Sequence, residues 1–258
     1  MRVVKELWEY REMIVSLVKR DLKSRYKGSV LGFLWMFLNP LLQLAVYTVV
    51  FSTIMKMGIE KFYLFLFVAL VPWLFFSTCL SAGTTVIFSQ QDMVKKIYFP
   101  REALPLAFTI SQFVNMLLSF VVIFIVVICS GVHIRPNALC YLPFVMLAEF
   151  ILALGITFLV SACNVYFRDL EYILGIISMA WMYLTPILYP MDMVPQQYAD
   201  IFYMNPMTSI TIAYRDILYY GRAPQMNTLL QALLLGMAIL VVGQMTFGKL
   251  QKKFAEEL

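Results

Sequence analysis

Six stretches of this 258-residue chain are apolar for long enough to cross a hydrocarbon layer, and five of them contain no Asp, Glu, Lys or Arg. The five cover residues 28–55, 62–91, 103–134 (broken only by His133), 172–191 and 223–248; the sixth, 136–167, holds one acid, Glu149. A helix needs about 20 residues to cover the hydrocarbon thickness. In that medium the backbone must satisfy its own hydrogen bonds, which leaves helices or closed barrels, and continuous apolarity lacks the alternation of barrel strands. The expected fold class is therefore an all-α polytopic membrane protein. Its six transmembrane helices are expected near 31–55, 62–88, 103–130, 140–165, 172–190 and 226–248. With 62% hydrophobic and 14% charged residues, the chain carries more apolar surface than a water-soluble core absorbs.

The cations fall unevenly between the stretches. Arg2, Lys5, Arg11, Lys19, Arg20, Lys23, Arg25 and Lys27 precede the first span; Lys95, Lys96, Arg101, Arg168, Lys249, Lys252 and Lys253 lie in the even loops and the tail. The odd loops keep only Lys56, Lys61, Arg135, Arg215 and Arg222. By the positive-inside rule this places both termini in the cytoplasm of a multi-pass chain. The net charge of +5 is then a topology signal, and no nucleic-acid partner is expected. A long charged segment precedes the first apolar run, so no cleavable leader is expected.

Residues 1–28 read as a separate element. Leu7, Tyr10, Ile14, Leu17, Val18, Leu22 and Tyr26 recur at helical spacing opposite Lys5, Glu9, Glu12, Lys19, Arg20 and Lys23. The pattern fits an amphipathic interfacial helix with Trp8 at headgroup depth, or a helix packed on a protein partner. Gly28 and Gly32 form a GxxxG spacing, which suits either close helix packing or a simple turn. Residues 29–251 form one membrane domain, and 252–258 are a tail. Within the domain, residues 90–98 have room for a short helix before Pro100 that either passes movement from a soluble partner or is a passive loop. The segment 192–222 contains an apolar run, 201–214, too short to span and broken at Asn205-Pro206. It fits re-entrant external helices before the last span, or an external cap.

Candidate chemistry is sparse. Gly243, Gly248 and Lys249 match GxxxxGK, but Leu250 stands where Ser or Thr must reach magnesium, and the match lies in a span. The four cysteines show no CxxC spacing, and the single histidine offers no metal or catalytic set. Glu149 is the one intramembrane acid, read as a hydrogen bond across helices or a proton-coupling group. Trp35, Tyr47, Phe51, Phe75, Phe76, Trp181 and Tyr183 lie within spans, where ring faces suit either sugar stacking in a channel or lipid-facing packing.

Four motifs, in order, carry a resemblance: RDLKSRYKGSVLGFLWMFLNPLLQ (20–43), KKIYFPREALPL (95–106), SACNVYFRDLEYI (161–173), and TPILYP followed by NPMTSITIAYRDILYYG, ending at Gly221. The chain resembles, over nearly its whole length, the membrane subunit of type-2 ABC exporters of lipid-linked polysaccharide: the O-antigen, capsule and teichoic-acid permeases. That resemblance implies a homodimer in the cytoplasmic membrane above two copies of an ABC ATPase. ATP and magnesium would be held by the ATPase, with no cofactor and no catalytic residue in this chain. It implies coupling to the ATPase through Gln91, Asp92, Met93, Val94, Lys95, Lys96 and Ile97, beside Arg168 and Asp169. It further implies an external gate containing Asn205, Pro206, Tyr214 and Arg215, and a glycan channel lined by the span aromatics. Export of another lipid or drug, or an intramembrane glycan-modifying enzyme, are the competing readings.

Overall fold

The computed structural model describes residues 2–26, 28–132 and 135–258; Lys27 and His133 lie outside it, as do the side chains of Arg2, Arg25 and Tyr26. All regular secondary structure among the described residues is helical, with no strand among them. In chain order the helices are α1 (Arg2–Glu9), α2 (Arg11–Tyr26), α3 (Trp35–Thr48), α4 (Phe62–Ser81), α5 (Gln91–Lys96), α6 (Ala103–Cys129), α7 (Pro136–Leu139), α8 (Leu142–Tyr166), α9 (Leu170–Tyr183), α10 (Gln196–Met204), α11 (Pro206–Leu218), α12 (Met226–Leu250) and α13 (Phe254–Glu257).

Among the described residues, five helical stretches are long and apolar enough to cross a membrane: Trp35–Ile54, Phe62–Val86, Ala103–Cys129, Pro136–Tyr166 and Met226–Lys253. The first is α3 extended by a π-helical turn, Val49–Ile54, and the second is α4 extended by a 3-10 turn, Ala82–Val86. Where a sixth span is expected at 172–190, the helix α9 has 14 residues, or about 21 Å at 1.5 Å per residue. Pro186 and Pro190 explain its early end. Neither supplies a backbone donor, and each biases its predecessor away from helical geometry.

α4 is apolar on every side and is buried accordingly, as a helix with no polar face must be. It forms the core of the bundle together with α8: in the apolar 18-residue stretch of each span 78% and 72% of residues are buried, against 11% in the first span and 22% in the last. The peripheral faces of α3 and α9 carry exposed Leu42, Val46, Val49, Tyr172, Ile176 and Met179, apolar surface suited to lipid or to another protein.

α8 and α12 pack along their length, and glycines set their spacing. A Cβ on Gly155 would lie 2.6 Å from both Cα and N of Leu240, and one on Gly243 would overlap the Gly155 carbonyl oxygen. Gly243, the first glycine of the apparent nucleotide motif, is thus required by helix packing. Gly28 and Gly32 behave differently: φ values of +85° and +47° place them in the left-handed region, so this pair makes a turn between α2 and α3.

Candidate functional site

The elements that carry most of the cations converge at one end of the bundle. Ile14 and Leu17 of α2, Val94 of α5, Phe99, Phe158 and Val165 near the end of α8, Phe247 of α12 and Phe254 of α13 share one buried cluster. The apolar stripe of the N-terminal helix therefore packs on the chain's own spans, chiefly α6. Polar bonds fix the same seam: Arg20 Nη2 donates to Gln90 Oε1 at 2.8 Å, and Ser111 Oγ of α6 donates to the Asp21 carboxylate. The tail is tied in as well. Gln251 Nε2 donates to Glu102 Oε1 at 2.7 Å, Tyr166 Oη donates to the Leu250 carbonyl at 2.9 Å, and Arg101 donates to the Gln251 carbonyl.

Within this end, α5 sits between the 3-10 turn Phe88–Gln90 and an extended Ile97. Val94 anchors it, while Asp92, Lys95, Lys96 and Ile97 are exposed and Gln91 and Met93 are half-buried. Asp92 and Lys96 pair at 3.5 Å across one helical turn, a surface contact of small energetic worth. The Arg168 guanidinium lies 4.9 Å from the Phe88 ring centroid, which brings the loop between α8 and α9, including exposed Asp169, beside the approach to α5.

The opposite end is closed by α10 and α11. Asn205 separates them: its Oδ1 accepts from Met207 N and from Trp181 Nε1, both at 3.0 Å, while its Nδ2 donates to Thr185 Oγ1 at 2.9 Å. It thus caps α11, whose first helical residue is Pro206, and ties the helix to the end of α9. α11 is buried over almost its whole length against α4, α8 and α12. Arg215, 3% exposed, has no acid partner among its bonds. It donates to the carbonyls of Pro186, Ile187, Phe65 and Tyr189, and its guanidinium lies 3.5 Å from the Phe65 ring centroid. One cation therefore satisfies the carbonyls exposed where TPILYP leaves helical geometry. Nearby, Arg222 Nε donates to Asp216 Oδ1 at 2.7 Å.

Glu149 and Tyr214, singled out separately in the sequence, meet: Tyr214 Oη donates to Glu149 Oε2 at 2.6 Å, with both side chains fully buried. A cross-helix hydrogen bond is thus present between α8 and α11. Several of the span aromatics pack on other rings. Phe76 is buried edge-on against Trp181 at 5.2 Å, Phe75 packs on Phe113 at 5.7 Å, and Phe51 packs on Phe62 at 6.1 Å. Tyr47 is half-buried, and Tyr183 and Trp35 are exposed.

Sequence reading missed a cleft of about 540 Å³ between α3, α4 and α6, lined by Trp35, Asn39, Thr78, Gln112, Asn115 and Ser119 among apolar neighbours. Its signal was present in the third span, where Gln112, Asn115 and Ser119 recur at helical spacing in an otherwise apolar segment.

A buried pair of core helices, peripheral spans with apolar outer faces and charges segregated to the ends define a multi-pass α-helical membrane protein. Comparison narrows the class. Residues 12–219 match the model of the ABC-2 type transporter family, and the chain belongs to that family. It is 34% identical over 260 residues, covering 100% of both chains, to a Myxococcus xanthus protein named O-antigen export system permease protein RfbA. A Klebsiella pneumoniae protein of the same name is 31% identical over 96% of this chain and 95% of its own. The Escherichia coli polysialic acid transport protein KpsM is 22% identical over 81% of each.

Proposed function

We propose that this chain is the permease subunit of an ATP-driven exporter that moves lipid-linked polysaccharide of O-antigen or capsule type across the cytoplasmic membrane. The end-to-end 34% identity to the Myxococcus xanthus O-antigen permease carries this reading. In it, the cation-rich end faces the cytoplasm, as the positive-inside rule requires, and both termini lie there. Two copies of the chain form the path, with the exposed faces of α3 and α9 as contact surface, and α9 with the TPILYP turn completes a sixth crossing. A separate ABC ATPase binds ATP and magnesium and seats α5, whose exposed Asp92, Lys95 and Lys96 are fixed to the bundle through buried Val94. Closure of the ATPase pair would displace α5 and, through contacts that differ between the two states, shift the spans. Asn205, Pro206, Tyr214 and Arg215 then belong to the external closure.

The test is complementation in a host deleted for its own permease, with surface glycan measured by immunoblot alongside recovery of an ATPase with the affinity-tagged chain. Restored surface glycan and a co-purifying ATPase are expected. Purified chain that modifies lipid-linked glycan with no ATPase present would overturn the assignment in favour of an enzyme.

A further inference from the structure

The cleft among the first three spans has a chemistry that neither helix packing nor the coupling elements use. Along α6, Gln112, Asn115 and Ser119 present two amides and a hydroxyl; α3 contributes Asn39 and the indole of Trp35, and α4 contributes Thr78. Among the described residues, no charged side chain lines the cleft. Both amide atoms of Asn115 are buried without a hydrogen-bond partner, although an amide has two donors and an acceptor with two lone pairs. Leaving such a group unmet in an apolar setting is costly, and a ligand offering paired donors and acceptors recovers that cost. Gln112, 3% exposed, has only a 3.5 Å contact from its Nε2 to Ser111 Oγ. Asn39 accepts one bond, from Gln43 Nε2 at 3.1 Å, and Trp35 Nε1 is occupied by Ser29 Oγ at 3.1 Å, which holds the indole in place.

We infer that this cleft binds a neutral sugar unit of the exported glycan, held by the Gln112, Asn115 and Asn39 amides beside the Trp35 indole. The inference rests on the polysaccharide reading above. Sugar hydroxyls both donate and accept, as side-chain amides do, and the apolar C–H face of a sugar suits an indole. A phosphate or pyrophosphate headgroup calls for Arg or Lys, which the lining lacks. A lipid chain would leave Asn115 unmet. The volume falls in the range of small-molecule sites, about 300–1,000 Å³.

The full chain in lipid nanodiscs is titrated with neutral manno- and galacto-tetrasaccharides and with a sialylated tetrasaccharide, following tryptophan fluorescence. At least one neutral tetrasaccharide should give a saturable change that disappears in Trp35→Phe. Asn115→Leu and Gln112→Leu should weaken binding at least tenfold, and the sialylated sugar should bind at least tenfold more weakly than the neutral one. Asn39→Leu probes the same cleft from a different span, so altered packing of α6 does not decide the result. No saturable change, as for a cleft holding only water, or unchanged affinity in the three leucine variants, overturns the inference. Glycan export by the wild-type chain in a permease-deleted host separates the two levels. Export that persists while sugar binding is absent removes the cleft alone, and absence of export removes the reading beneath it.

Discussion

Replacing Gly155 or Gly243 by Ala tests whether the α8–α12 seam sets the stability of the bundle. The added methyl at Gly155 would sit 2.6 Å from two backbone atoms of Leu240, where carbon contacts are ordinarily about 3.5–4.0 Å, so the helices must part by about 1 Å. The obstacle is backbone, and no rotamer change relieves it. A gap of that size forfeits roughly a quarter to a half of the dispersion attraction at each opened contact, and overpacking of this kind costs about 1–3 kcal/mol. Alanine also favours a helix over glycine by up to about 1 kcal/mol, which partly masks the loss. Gly248, in the same helix, and Gly175, in α9, have nothing within 4 Å of an added Cβ, so their alanine variants carry the propensity gain alone. Unfolding in mixed micelles, followed by tryptophan fluorescence as the dodecyl sulfate fraction rises, should place Gly155→Ala and Gly243→Ala about 1–3 kcal/mol below Gly248→Ala. Equal stability of Gly243→Ala and Gly248→Ala would refute the close approach.

Arg215→Met should lower stability by about 3 kcal/mol or more in the same assay by leaving several buried carbonyls unmet, and Arg215→Lys should recover only part, because an ammonium lacks the guanidinium fork. Tyr214→Phe removes the single donor to Glu149 and should cost about 1–3 kcal/mol; Glu149→Gln, which keeps an acceptor for that hydroxyl, should cost less. Asn205→Ala deletes a helix cap and the indole partner of Trp181 and should cost about 1–2 kcal/mol, with a change in tryptophan emission as a second readout. Reversal of Lys95 and Lys96 to Glu should leave unfolding within about 0.5 kcal/mol of wild type, since both are exposed, while abolishing ATPase recovery and export. Unchanged recovery and export in that variant would remove α5 from the coupling role.

Span positions were legible wherever the apolar run and the helix coincide, as in α6, α8 and α12, because length and lack of charge are what a hydrocarbon layer selects. In the run at 172–190 composition and helix do not coincide: Leu184, Ile187, Leu188 and Tyr189 are as apolar as a helix interior, yet the prolines among them end α9 at Tyr183. The two short helices around Asn205-Pro206 could be read because Asn followed by Pro is a helix start in its own right. Which residues they meet could not be read. Tyr214 and Glu149 are 65 positions apart, and Arg215 bonds carbonyls, which carry no side-chain signature. The stripe of α2 was visible as amphipathic, but periodicity alone does not distinguish a lipid surface from a neighbouring helix.

The two ends of the bundle differ in how firmly they are closed, and the difference bears on how an exporter of this plan would move. At the α11 end, one buried guanidinium and one half-buried amide bind backbone carbonyls and side chains from α4, α9 and the turn that follows it. Such bonds leave unmet buried acceptors when they part, so the cap moves as a unit or stays shut. At the cation-rich end the polar contacts around α5 are an exposed ion pair and the Arg20–Gln90 bond, each cheap to exchange for water, and its one buried side chain is Val94. In the proposed coupling, a displacement delivered to α5 passes to α2 through the buried cluster that Val94 shares with Ile14 and Leu17. From α2 it reaches α6 through Asp21 and Ser111, the residue before Gln112 and one turn of helix from Asn115. The first polar residues that such a push would reorient inside the membrane are those of the α3–α4–α6 cleft, ahead of any change at the far cap.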